Sequence, residues 1–218
     1  MVDLTQLRRL LLAGVAGFTA FTFAAGMAAA ADCPNRGNLD VRYCDADGDM
    51  VADTPTDASK WIDPDTIIFS YTPVEDPSVY ENQFKEFMDF LAKNTGKKVK
   101  WYGAESYAAQ VEAMRSGRLH VAGISTGPTV FGVNLAGFVP VAIMGFADGR
   151  FGYKLQMIVH KDSDIKEMKD LKGKKVAHVT PSSNSGNQAP RALFGALGVV
   201  PDKDYEVTYS GKHDNSIM

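Results

Sequence analysis

From residue 66 onward, short apolar runs alternate with segments in which apolar residues recur every three or four positions. The runs are rich in β-branched residues and predict buried strands, whereas the periodic segments predict helices with one apolar face. In chain order we predict strand 66–70, helix 77–95, strand 99–102, helix 107–116, strand 119–124 and a short helix 128–136. Such alternation is typical of a parallel α/β sheet.

The apolar faces of the first two helices are predicted to pack on the core, through Phe84, Phe87, Met88 and Leu91 in one and Ala108, Val111 and Met114 in the other. A further apolar run, 138–144, leads into residues 145–152, whose three glycines and Asp-Gly turn indicate a crossing between domains. Beyond it the pattern predicts strands at 153–160, 175–179 and 206–209, with helices at 165–171 and 188–197. The sequence ends where residues 213–215 indicate a new helix, so we interpret this second unit as truncated.

The first 31 residues form a separate segment. Arg8 and Arg9 precede an apolar run that ends in small residues, which predicts a cleavable secretory signal with cleavage near Ala31. A membrane anchor is the alternative, although Gly14 and Gly17 make the run a poor permanent span. We therefore expect a periplasmic protein, exported by either the Sec or the Tat route.

An N-terminal extension, residues 32–65, follows the signal. It contains the two cysteines of the chain, Cys33 and Cys44, eleven positions apart. Two cysteines are too few for a disulfide framework or a four-thiolate zinc site. Because an exported protein meets oxidising conditions, we expect a local disulfide, with free thiols or intermolecular pairing as alternatives.

The extension is also acidic, with nine aspartates, no glutamate and three basic residues. Asp45, Asp47 and Asp49 alternate along a turn and Asp53 follows, a pattern that resembles calcium loops of the EF-hand and thrombospondin type 3 kinds. Met50 stands where such loops need glycine, and no glutamate closes the loop. The sequence therefore leaves two interpretations, a calcium site and a solvated acidic turn; no other cofactor is expected.

Composition narrows the function classes. The chain has 218 residues, of which 45% are hydrophobic and 22% charged, with a formal net charge of −3. This length and apolar fraction are sufficient for a packed core and exclude intrinsic disorder. The weak negative charge excludes a strongly basic arm, so no nucleic-acid partner is expected.

Hydroxyls and glycines are concentrated in three loops that follow predicted strands: 125–127, 180–187 and 210–216. Ligands of open parallel sheets bind beyond the carboxyl ends of the strands. Helix N-termini there attract anions, and Ser, Thr and Asn side chains supply neutral hydrogen-bond donors. Ordinary helix caps are the alternative interpretation for any one loop.

The chain resembles the phosphate-, phosphite- and phosphonate-binding proteins of bacterial ABC importers. The resemblance runs from about Thr66 to Met218, and its specific parts are Pro181 to Gly186 and Gly211-Lys-His-Asp-Asn215. It implies a two-lobed periplasmic binding protein α/β fold of the type II kind. Residues 66–147 would form part of lobe one, and residues 148–218 an incomplete lobe two. The family chain continues further, so acidic ligand contacts of its later segments are absent here.

The resemblance further implies that two lobes close on a small phosphorus oxyanion and that the protein delivers it to an inner-membrane ABC permease. No catalytic residue is expected. Carried over position by position, the implied ligand-binding residues are Tyr71, Thr72, Tyr107, Ser125, Thr126, Tyr153, Ser183, Asn184, Ser185 and His213. The other histidines, His120, His160 and His178, are interpreted as structural.

Two alternatives from other classes remain open. Residues 123–127 match Gly-x-Ser-x-Gly, the nucleophile elbow of α/β serine hydrolases, with Ser125 as nucleophile. Asp204 and His213 follow in the required order, but too few strands precede Ser125 and Pro128 removes a nearby donor. The acidic loop would instead fit a calcium-stabilised structural or surface protein.

Overall fold

The computed structural model describes residues 33–218, which form a single compact body; the predicted signal segment lies outside the described residues. Two parallel sheets are present, one of three strands and one of two strands. The predicted parallel α/β architecture is therefore confirmed. Within residues 33–218, no helix has the length and apolar character required to cross a membrane.

The three-stranded sheet and the helices that pack on it form the first unit, which has its own hydrophobic core. Its central strand β1 (Thr66–Tyr71) pairs in parallel with β2 (Lys98–Trp101) and β3 (Val121–Gly123). Phe69, at the middle of β1, is only 2% exposed. Its ring contacts the rings of Phe84, Phe87 and Trp101, with centroid distances of 5.1 to 5.8 Å. This aromatic cluster fixes the central strand against the helices.

Four helices accompany this sheet: α1 (Pro77–Gln83), α2 (Lys85–Thr95), α3 (Tyr107–Arg115) and α4 (Thr126–Ala136). The sequence predicts α1 and α2 as one helix, but the chain leaves helical geometry at Phe84, with φ −94° and ψ 6°. The ends follow the predicted chemistry. Ser106 caps α3 by accepting from Ala109 N–H at 3.1 Å, and Gly96 ends α2 in the left-handed conformation.

The buried faces of these helices differ from the prediction. Ala108 is exposed, and α3 buries Tyr107, Gln110, Val111 and Ala113. The face is rotated because Tyr107 and Gln110 enter the space at the carboxyl ends of the strands. On α2 the predicted apolar stripe does pack on Phe69, but it is incompletely covered, since Phe87 remains 40% exposed.

The two-stranded sheet belongs to the second unit, where β4 (Lys175–His178) pairs in parallel with β5 (Glu206–Tyr209). Its core consists of Leu171, Val176, Phe194, Val199 and Tyr205. The predicted helix 188–197 is present as three short turns: a π turn (Asn184–Gln188), α5 (Ala189–Leu193) and a 3-10 turn (Phe194–Leu197). The predicted helix 165–171 is reduced to a 3-10 turn, Met168–Leu171.

The predicted strand at 153–160 is wrong, and the apolar run 138–144 is also irregular. Both segments are exposed at large apolar side chains, among them Val141 at 90% and Ile158 at 72%. A parallel strand requires a neighbour to receive its hydrogen bonds, and none of the described strands pairs with either segment. Residues 213–217 likewise form turns instead of the predicted helix start.

The N-terminal extension packs on the first unit. The predicted disulfide Cys33–Cys44 is confirmed, with a Cα–Cα distance of 5.5 Å. Arg42 donates to the carbonyl oxygens of Arg115 at 3.2 Å and Leu135 at 2.7 Å, in the last turns of α3 and α4. Terminal helix carbonyls lack intrahelical partners and attract cations, so this guanidinium caps both helices at once.

Candidate functional site

Two buried hydroxyls lie at the carboxyl end of the first sheet. Thr72 directly follows β1, and Ser125 follows β3 by two positions, and these strands are hydrogen-bonded neighbours. Neither Thr72 Oγ1 nor Ser125 Oγ has a hydrogen-bond partner among the described residues, although both atoms are buried. A buried hydroxyl without a partner costs about 1–3 kcal/mol, so such groups are rare, and two of them at adjacent strand ends make this position a candidate binding site.

The N-terminus of α4 lies beside these hydroxyls. Ser125 is its N-cap residue, yet its side chain makes no capping bond, and its carbonyl accepts from Thr129 N–H at 3.0 Å. The N–H groups of the first turn therefore lack side-chain acceptors, and Thr126 is exposed. Together they place about half a positive charge at this end of the helix.

The facing rim of the second unit is the serine loop, residues 180–187, which follows β4. Ser183 is 2% exposed, and its Oγ accepts from Gly186 N–H at 3.2 Å. Asn187 holds the loop from below, because its Nδ2 donates to the Pro181 carbonyl at 2.8 Å. Its Oδ1 lies 2.9 Å from Arg191 Nε. The hydroxyls of this loop are thus presented by an internally bonded frame.

His178 completes that frame and is a structural residue. Its Nδ1 lies 2.8 Å from Asn187 Oδ1, and its Nε2 lies 2.9 Å from the hydroxyl of Tyr205. An amide oxygen only accepts, so Nδ1 carries the proton and Nε2 accepts from Tyr205. Burial lowers the pKa of His178 and raises the pKa of Tyr205 to about 12, so both groups are neutral at pH 7.

The two rims meet directly. A Cβ on Gly127, in the first turn of α4, would overlap the carbonyl oxygen of Ser182 and lie 2.9 Å from Asn184 N, so this approach requires glycine. Tyr107 is 3% exposed; burial raises the pKa of its phenol, while the adjacent Ser183 hydroxyl opposes that shift. These contacts bring the predicted residues of α3, α4 and the serine loop together.

The last described turn also crosses between the units. His213 N–H donates to the Val74 carbonyl at 3.0 Å, and Lys212 Nζ lies 3.4 Å from a carboxylate oxygen of Glu105. Burial lowers the pKa of the His213 ring, whereas the charges of Glu75 and Asp214 raise it. The loop after β5 therefore closes the same end of the molecule.

A cavity of ≈ 490 Å³ lies between β4 and the irregular segment 153–159. Three predicted site residues line it: Tyr153, Ser185 and His213. Tyr153 is 68% exposed, so it forms an open wall. Tyr71 takes a different place, because its ring packs on Tyr80 and Phe84 with centroids 4.9 and 4.5 Å away.

Two polar residues of the site were not predicted. Gln110 is fully buried and donates through Nε2 to the Gly123 carbonyl at 3.1 Å, while its Oε1 has no partner in the described part of the chain. The feature of the sequence that could have identified Gln110 is an amide side chain one turn after Tyr107, on the same face of the helix. Asn187, four residues after Ser183, carries the same type of signal.

The hydrolase interpretation gains no support from this geometry. The hydroxyl of Ser125 has no hydrogen-bonded base within residues 33–218. Asp204 Oδ2 instead accepts from Val200 N–H at 2.7 Å, within its own turn. A serine nucleophile needs a base held by an acid, and these groups do not form that arrangement.

Two parallel α/β units that face each other through hydroxyl-rich strand ends are typical of two-lobed binding proteins. Residues 69–218 match the family described as "ABC transporter, phosphonate, periplasmic substrate-binding protein". The chain belongs to this family.

Two curated relatives and one solved structure are similar to this chain. The "Phosphate-import protein PhnD" of Mycolicibacterium smegmatis is 34% identical over 71% of this chain, and the "Phosphonates-binding periplasmic protein" of Escherichia coli is 26% identical over 69%. The matches cover 51% and 46% of those proteins, so the chain spans about half the length of the curated relatives it matches. A binding protein component of an ABC phosphonate transporter from Pseudomonas aeruginosa shares the fold, with a TM-score of 0.60 at 24% identity over 70% of this chain and 52% of its own.

Proposed function

We propose that this chain binds a small phosphorus oxyanion between its two units, as the substrate-binding part of an ABC importer. The observation that carries the proposal is the pair of buried, unpartnered hydroxyls of Thr72 and Ser125 beside the N-terminus of α4. The serine loop faces them from the second unit, and Gly127 holds the two rims in contact.

The donor set fits an oxyanion of several equivalent oxygens. A phosphonate or phosphate offers many lone pairs, and each must be satisfied when the anion leaves water. Hydroxyls and helix N–H groups supply short, directed hydrogen bonds to it, and such charge-assisted bonds are stronger than neutral ones. The positive end of α4 compensates part of the anion's charge.

The proposed contacts follow the two rims. Thr72, Ser125, Thr126 and Tyr107 would bind from the first unit, and Ser183, Asn184, Ser185 and His213 from the second. Tyr153 would complete the open wall, and Tyr71 would support the rim by packing. Gln110 and Asn187 act as positioning residues, because they fix the strand end and the serine loop.

The cellular setting follows from family membership. We infer export to the periplasm through a cleaved N-terminal signal, and delivery of the bound anion to an inner-membrane ABC permease. The two curated relatives are named for phosphate import and for phosphonate binding. Their shared ligand chemistry, a tetrahedral phosphorus oxyanion, is what we assign to this chain.

Calorimetric titration of the chain with methylphosphonate, phosphite, phosphate and sulfate tests the proposal. We expect at least one phosphorus oxyanion to bind, and Ser125→Ala to weaken that binding by about tenfold or more, since a hydrogen bond to a charged group contributes about 1.5–3 kcal/mol. The thermal midpoint should not fall, because Ser125 Oγ has no partner to lose.

Ser116→Ala is the matched control. Ser116 follows α3 at the end opposite Tyr107, and its hydroxyl donates to the Glu112 carbonyl at 2.8 Å. This variant should bind like the parent. Absence of binding by every phosphorus oxyanion, or equal affinity in the Ser125→Ala and Ser116→Ala proteins, would refute the proposed site.

A further inference from the structure

The acidic loop of residues 45–53 lies in the N-terminal extension, outside the residues that match the family. Asp45, Asp47 and Asp49 each offer a carboxylate oxygen, and the three oxygens lie within 4.8 Å of one another. Calcium binds oxygen at about 2.3–2.6 Å, so two oxygens on opposite sides of one ion are about twice that distance apart. This separation matches the 4.8 Å limit of the three aspartate oxygens. The three oxygens therefore fit a single calcium ion.

The burial of Asp45 provides a second, independent observation. Its side chain is nearly inaccessible, with the residue 3% exposed, and Oδ1 has no hydrogen-bond partner among the described residues. Oδ2 accepts from Met50 N–H at 3.1 Å and from Asn35 Nδ2 at 3.4 Å. A buried carboxylate is costly unless it is paired or coordinates a metal. A carboxylate oxygen of this buried side chain lies within 4.8 Å of those of the exposed Asp47 and Asp49, so a bound cation would supply the partner that Asp45 lacks.

The loop is built to keep these aspartates on one side. Its ends are joined because Asp53 N–H donates to the Cys44 carbonyl and Asp53 Oδ2 accepts from Ala46 N–H, both at 2.8 Å. Met50 adopts the left-handed conformation, with φ 70°, at the position where calcium loops carry glycine. Asp53 thus closes the loop, and the other three aspartates are left to bind.

We propose that Asp45, Asp47 and Asp49 bind one calcium ion and that this ion stabilises the extension against α3 and α4. The ligands are all oxygens on an irregular loop, which suits the flexible coordination of calcium better than the strict octahedron of magnesium. With three carboxylates and no bidentate glutamate, the site has the affinity typical of extracellular modules, about 10⁻⁴–10⁻³ M.

Only a few residues separate the acidic loop from the contacts that hold the extension on α3 and α4. Cys44, which directly precedes Asp45, is joined to Cys33, and Arg42 donates to the last turns of α3 and α4. An ion that orders the loop therefore orders the segment that caps both helices. Since it binds only the folded loop, calcium raises the stability of the folded chain by mass action.

Calorimetric titration of the whole chelator-treated chain with calcium chloride tests this site, alongside thermal unfolding with calcium, with magnesium and with chelator. We expect one saturable calcium site per chain and a thermal midpoint that rises with calcium and returns with chelator. Asp45→Asn should weaken binding by about tenfold or more, because it removes ligand charge at the buried position.

Two further variants keep the test decisive. Asp47→Asn changes an exposed side chain that accepts only from Asp49 N–H, at 3.2 Å, so this protein should fold and still bind calcium more weakly. Asp65→Asn removes the same charge from an exposed aspartate outside the loop and should bind like the parent. No saturable binding up to about 10 mM, equal affinity for magnesium, or equal affinity in all three variants would overturn the proposal.

Discussion

The rim of the first unit and the rim of the second unit present similar hydroxyl side chains but support them differently. Ser183 in the serine loop is bonded to Gly186, and the loop beneath it is tied through Asn187 to Pro181 and His178. On the opposite rim, Thr72 Oγ1 and Ser125 Oγ are buried without partners within the described chain. The second rim is organised by hydrogen bonds within the protein, whereas we propose that the first is completed by the bound anion.

In the proposed function, this difference gives the two rims separate tasks. A bonded frame fixes the position of its donors before binding, which lowers the entropy lost on binding. Unpartnered hydroxyls gain the full value of a hydrogen bond when the anion arrives, because they give up no bond within the protein. Substitutions in the second rim should therefore affect stability first, and substitutions in the first rim should affect affinity.

The largest effect is expected for Asn187→Ala. The change leaves the Pro181 carbonyl, Arg191 Nε and the ring of His178 without their partner, so we expect a loss of about 3 kcal/mol in the free energy of unfolding. Denaturant unfolding measures this value. Asn184→Ala, three positions earlier and without such bonds, should cost less than about 0.5 kcal/mol. Equal losses in the two variants would contradict the bonded frame.

A smaller effect is expected for Gly127→Ala, which separates the two rims. The new methyl group would overlap the Ser182 carbonyl oxygen and crowd Asn184 N. Because both are backbone atoms, we expect a loss of about 2 kcal/mol in the free energy of unfolding. Gly195→Ala is the control, because a Cβ there meets nothing within 4 Å. If Gly127→Ala unfolds at the same denaturant concentration as Gly195→Ala, the rims do not touch in solution.

The smallest effect is a dependence of folding stability on pH, which we expect from the buried His178 but not from exposed histidines. Burial lowers the pKa of His178 below its unfolded value of 6.5, so the unfolded chain binds the extra proton more readily. The contribution of His178 is therefore fully present above about pH 6.5 and is lost as the pH falls below that value.

Thermal unfolding at about pH 7.5 and pH 5.5 measures this slope. His178→Gln should flatten the slope, although the variant is less stable at both pH values. His160→Gln, at an exposed histidine, should leave the slope unchanged. An unchanged slope in His178→Gln would show that other groups, His213 among them, carry the acid sensitivity.

The sequence predicted the strands best where apolar runs pair with neighbours present in the chain. β1, β4 and β5 lie within one residue of their predicted bounds, and each pairs in parallel with a described neighbour. The run 153–160 is also rich in apolar residues but has no pairing partner among the described strands, so its pattern alone misleads. Pairing is a property of distant segments and is not encoded within the run itself.

The sequence predicted the hydroxyl side chains of the candidate site but not the buried polar residues that support them. Serines after strands are visible as motifs, whereas Gln110 and Asn187 look like ordinary helix residues until their burial is known. The prediction that Ala108 faces inward failed for the same reason. The buried face of α3 includes the polar residue Gln110, and hydrophobic periodicity does not report a buried polar position.

Arg42 has a consequence for the order in which the chain assembles. Its two carbonyl partners come 73 and 93 residues later in the sequence, whereas the cysteines beside it are only 11 apart. During synthesis, Arg42 is added to the chain before the residues that end α3 and α4. The cross-link between the cysteines needs only a local encounter, while docking of the guanidinium must await completion of α4. The disulfide can therefore form before Arg42 docks on α3 and α4.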